Sequence, residues 1–77
     1  MTDEERLQNT IDCIQIYCDT MKGYCDGAVE KKNTIKDPNK LAEKLELYMD
    51  GIRYNYTKIM SCYDKLCDAT GHWPEWK

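Results

Sequence analysis

Leu41, Leu45, Tyr48, Ile52, Asn55, Ile59, Cys62, Leu66 and Ala69 recur at alternating spacings of four and three residues. An α-helix turns about 100° per residue, so this alternation returns every side chain to one stripe, whereas a strand would scatter them over both faces. The run spans about four heptads, which points to a single long helix. Its ends are marked as well. Asp37-Pro38 sets a side-chain acceptor before a residue that gives up only an amide hydrogen without a helical partner. At the far end Gly71 supplies a left-handed stop, His72 suits the negative helix end, and Pro74 prevents resumption. This helix is expected over about residues 38–70.

A second stripe precedes it. Thr2-Asp3-Glu4-Glu5 fits a capping box, and its acids suit the positive end of a helix dipole. From there Leu7, Ile11, Ile14, Cys18, Met21, Cys25 and Ala28 step by four and three. The first helix is expected over about residues 3–33, with a break near Gly27 as the alternative, because Gly23 and Gly27 each cost up to about 1 kcal/mol relative to alanine. Two helices joined by so few residues must lie antiparallel. The fold class is therefore all-α, a long antiparallel helical hairpin, with residues 1–77 forming a single helical domain that ends in an aromatic tail at 71–77.

Facing residues of an antiparallel pair have numbers with a constant sum, and these stripes mesh at sums of about 73 or about 80. The first centres the turn beside Asp37, where the capping signals lie, and is the expected register. The second faces Cys13 with Cys67 and Cys18 with Cys62, bringing together the mirrored segments CIQIYC and CYDKLC. Residues five apart on a helix lie about 140° from one face, so neither pair chelates from its own helix. Free cysteine packs as a small apolar residue, the expected role of Cys18, Cys25 and Cys62 on the core stripes, while Cys13 and Cys67 are expected to be the reactive thiols. A thiol-based metal or redox carrier using Cys13, Cys18, Cys62 and Cys67 is the alternative functional reading. No cofactor is expected.

A chain of 77 residues buries a core worth only a few kcal/mol and needs support from a disulfide, a metal or a second copy. Helix 2 carries Met49, Tyr56, Met60, Tyr63 and Cys67 beside its main stripe, and helix 1 carries Cys13, Tyr17, Thr20 and Tyr24. A two-helix hairpin uses one seam per helix, so this surplus is expected to meet another copy in a homodimeric four-helix bundle, with Asn55 fixing register. Trp73 and Trp76 are expected to fold back over Leu7 and the open end of the hairpin, the alternative being anchorage in a partner.

The net charge of −3 is uneven: residues 1–30 hold seven acids against Arg6 and Lys22. Glu5, Asp12, Asp19 and Asp26 recur every seven residues, a row of carboxylates about 10.5 Å apart that suits a basic protein surface. No basic patch interleaved with aromatics is present, so direct nucleic-acid binding is not expected. The acidic start differs from a basic leader and no apolar run reaches membrane-spanning length, so a cytoplasmic protein without membrane contact is expected. No Ser-His-Asp or Cys-His grouping and no Gly-rich phosphate loop can be placed, so catalysis is not expected. These readings point to a protein-binding or assembly module that occupies a partner's surface. Its size and acidity also suit a stoichiometric inhibitor, for example a phage counter-defence protein. The expected contact residues are Asp12, Asp19, Asp26, Tyr56, Met60, Tyr63, Trp73 and Trp76.

Overall fold

A computed structural model describes residues 2–76, which form two helices, α1 (Asp3–Thr34) and α2 (Pro38–Thr70), joined by a three-residue turn. The ends follow the local chemistry. Thr2 Oγ1 accepts from the Glu5 amide at 3.2 Å, and its carbonyl accepts from Arg6 at 3.0 Å. Asp37 Oδ1 accepts from the Asn39 amide at 3.0 Å, with Pro38 in the first turn. Gly71 adopts φ 73° and ψ 7°, the left-handed conformation that a side chain would disfavour, and its amide donates to the Cys67 carbonyl at 2.7 Å. Helix α1 runs through Gly23 and Gly27 without a break.

The helices pack against each other as an antiparallel hairpin. Close contacts join Gly27 with Tyr48 and Gly51 with Tyr24, pairs whose numbers both add to 75. This lies two residues from the short-turn register and five from the alternative that would face Cys13 with Cys67. The seam of α2 follows the expected stripe, with Leu41, Leu45, Tyr48, Ile52, Ile59, Cys62 and Leu66 half-buried and Asn55 only 3% exposed, except that Ala69 at its end is exposed. Asn55 Nδ2 donates to the Gly51 carbonyl at 2.7 Å, which satisfies a polar group at the centre of the seam.

The seam of α1 is rotated from the expected one. Leu7, Ile14, Met21 and Ala28 lie inward as anticipated, but their partners are Thr10, Tyr17 and Lys31 on the neighbouring stripe, with Tyr24 reaching Gly51. Ile11, Cys18 and Cys25 are exposed. The two competing stripes are only one residue apart. Hydropathy favoured the thiols and Ile11, whereas the docking of the Tyr24 ring on Gly51 selects the other.

The molecule is a slab of 51 × 27 × 14 Å with a radius of gyration of 16.4 Å. A compact domain of 77 residues would have a radius near 11.5 Å (about 2.2·N^0.38). Among the described residues only Asn55 and Cys67 are fully buried. One layer of helices gives each apolar stripe a neighbour on one side only, so the seam is half-covered along most of its length.

Candidate docking face

The closest approach of the two helices is built from two similar tetrapeptides, Tyr24-Cys25-Asp26-Gly27 in α1 and Tyr48-Met49-Asp50-Gly51 in α2. Each tyrosine lies over the glycine of the opposite helix. A β-carbon at Gly27 would stand 2.5 Å from Tyr48 Cε1, and one at Gly51 would stand 2.6 Å from Tyr24 Cε1. The absent side chains make room for the rings. The repeated Tyr-X-Asp-Gly was the sequence signal for this contact, and hydropathy periodicity does not register it.

This reciprocal contact defines the two flanks of the hairpin. Residues seven apart share a helix face, so the flank of Gly27 includes Arg6 and Cys13, and the flank of Gly51 includes Lys58 and Lys65. Arg6 and Lys65 line one shallow groove with Asp3, Leu7, Thr10 and Ala69, which places both series on the same side. Cys13 is half-buried there. The opposite flank carries Ile11, Cys18 and Cys25 from α1, with Met49, Tyr56 and Tyr63 from α2. In the observed register Cys18 is level with Tyr56, and Cys25 with Met49. Ile11 is 41%, Met49 43% and Tyr56 57% exposed, and both thiols are exposed. One flank is thus closed ring-on-backbone at its centre and bears exposed Leu47 and Tyr54 among Arg6, Lys58 and Lys65, and the other carries a row of exposed and uncharged side chains.

The tail borders the open flank. Trp76 stacks on Tyr63 with ring centroids 6.4 Å apart and planes inclined by 19°. Trp76 therefore folds back on α2. Cys67 lies off the interhelical seam yet is 1% exposed, and Pro74 in the returning segment is half-buried. Of the two thiols expected to be accessible, Cys67 is enclosed and Cys13 half-buried, while Cys18 and Cys25, expected to pack inward, are exposed.

The remaining anticipated contact residues divide by position. Asp12, Asp19 and Asp26 are exposed on the outer face of α1, where Asp12 accepts from Gln8 Nε2 at 2.9 Å and Asp26 lies 4.0 Å from Lys22 Nζ. Tyr56 is on the open flank, Met60 and Tyr63 are half-buried beside the tail, and Trp73 and Trp76 are exposed on it. Cys13, Cys18 and Cys62 are distributed over the closed flank, the open flank and the seam, and Cys67 is buried near the end of α2. All five cysteines are free thiols, and among the described residues no three His, Cys, Asp or Glu side chains converge as a metal site would need. Among the described residues no helix is long and apolar enough to cross a membrane.

Comparison with family models, curated proteins and solved structures found no match to this chain.

Proposed function

We propose that this chain is a non-enzymatic protein-binding and assembly module that works by laying one flank of its hairpin against another protein chain. The observation that carries this reading is the open flank of Ile11, Cys18, Cys25, Met49 and Tyr56 on a one-layer molecule. The accessible surface is 6093 Å². A compact monomer of 9.1 kDa would expose about 4,900 Å² (6.3·M^0.73), which leaves roughly 1,200 Å² in excess. Single exposed apolar residues are ordinary, but a contiguous row at matched levels on two helices is the usual form of an interaction face. The exposed Asp12, Asp19 and Asp26 lie away from that flank and give any further partner a basic preference. Binding of this kind occupies a surface and needs no reacting group.

The test is photo-crosslinking in the cells that produce the protein, with a benzophenone amino acid at position 56 on the open flank and, as control, at position 47 on the opposite flank, one turn before Gly51, where Leu47 is 75% exposed. Discrete protein adducts from position 56 and none from position 47 are expected. Position 56 yielding only solvent-quenched monomer would overturn the reading.

A further inference from the structure

We infer that the occupant of the open flank is a second copy of this chain, related by a two-fold axis running along the hairpin, so that the two slabs form a four-helix bundle. This rests on the protein-binding reading above and names its partner. Three observations favour self-association over a foreign chain.

The first is area. The broad side of the slab measures 51 × 27 Å, so covering about half of it on each copy buries about 1,400 Å² in all, within the range of specific interfaces. The second is shape. The α1 side of the flank is low, with thiols at Cys18 and Cys25, and the α2 side is high, with Met49 and Tyr56 at the same levels. Turning a copy over about the long axis preserves level and exchanges the sides. Tyr56 then stands over the partner's Cys18, and Met49 over the partner's Cys25, large against small in both places and in both copies. A two-fold interface must be self-complementary in this way. The third is charge. These flank positions are uncharged although each chain carries −3, and the row Asp12, Asp19 and Asp26 lies about 100° further round α1. Two copies can meet there without apposing their acids.

The experiment is native mass spectrometry and sedimentation of the full-length protein, with circular dichroism to confirm helix content, for the wild type, Tyr56→Glu, Met49→Glu and the control Leu47→Glu. The wild type and Leu47→Glu should sediment at twice the 9.1 kDa chain mass. Each flank charge should weaken dimerisation by at least about 100-fold while the helices persist, since the charge would be buried unpaired. Labelling of Cys18 by a thiol reagent should slow as protein concentration rises, with Cys13 on the closed flank unaffected. A wild type that stays monomeric and helical at about 100 µM, some hundredfold above a micromolar Kd, overturns the self-association. If position 56 still crosslinks to a different protein in cells, the binding reading survives that failure. Dimers unaltered by both flank charges would overturn the assignment of the face.

Discussion

Replacing Gly27 by alanine should destabilise this protein, while the same replacement one turn earlier, at Gly23, should stabilise it. Both residues are interior to α1, so each change gains about 0.5–1 kcal/mol in helix propensity. Their surroundings differ. A β-carbon at Gly23 meets nothing within 4 Å, whereas at Gly27 it stands 2.5, 3.1 and 3.2 Å from three ring carbons of Tyr48. Non-bonded carbons pack at about 3.5–4.0 Å, so the ring must move by about 1 Å or the helices must part. Overpacking of this kind costs about 1–3 kcal/mol. Propensity cancels in the comparison, and Gly27→Ala should fall below Gly23→Ala by that amount, roughly 4–8 °C in melting temperature per kcal/mol for a domain of this size.

Urea denaturation followed by circular dichroism measures the difference, at one fixed protein concentration because association would add a concentration-dependent term. A double-mutant cycle identifies the cause. In a Tyr48→Ala background the ring is gone, and Gly27→Ala should recover its propensity gain of about 0.5–1 kcal/mol. Equal stability for Gly23→Ala and Gly27→Ala in the Tyr48 protein would refute the claim that ring-on-glycine contact sets the closed flank.

Gly51→Ala should cost less than Gly27→Ala in the same assay, because Tyr24 is 37% exposed and its ring can swing toward solvent. Gly71→Ala should lower stability by about 1 kcal/mol without reducing helix content beyond the last turn, the left-handed conformation at φ 73° being the strained element; an unchanged melting temperature would count against that role. Truncation before His72 should leave the hairpin helical and bring Cys67 from the slowest to among the faster thiols in mass-spectrometric labelling, and persistent protection would mean that something other than the tail covers it. Reversing Asp12 and Asp19 together to lysine should alter stability by no more than about 0.5 kcal/mol, since both are exposed; an unfolded variant would show that the row is structural.

The parts of the fold legible in the sequence were those fixed by local chemistry. Thr2, Asp37-Pro38 and Gly71 each act on backbone groups within a few residues, and the start of α1 and both ends of α2 lie within a residue of those signals. The turn length followed, and the register came within two residues. The face of α1 was not legible by the same means. Stripes through Ile11, Cys18 and Cys25 and through Thr10, Tyr17 and Tyr24 flank the same line of Leu7, Ile14 and Met21, about 100° of helix rotation apart. Apolarity alone prefers the first. The choice depends on a property of the other helix, the bare backbone at Gly51, which no reading of α1 by itself contains. The burial of Cys67 was not legible either, since it lies off the stripe that the periodicity of α2 marks as inward.

The same contact that makes α1 hard to read also explains why this hairpin has an interaction face. Rings that rest on glycine bring the helices together on one flank and turn Thr10, Tyr17 and Tyr24 into the seam. Ile11, Cys18 and Cys25 are thereby rotated out, level with Met49 and Tyr56 on the other helix. If the inward stripe of α1 had been the more apolar one, these five side chains would have been divided between the seam and solvent, and a slab 14 Å thick would have kept less apolar surface to offer. The glycine contact and the open flank are therefore one feature, and weakening the first should weaken the second. Gly27→Ala, by parting the helices, should lower both the stability of the hairpin and its tendency to pair, whereas Tyr56→Glu should lower the pairing alone. Measuring both variants by sedimentation at matched helix content separates these outcomes, and a Gly27→Ala protein that unfolds more readily yet dimerises as the wild type does would sever the proposed link.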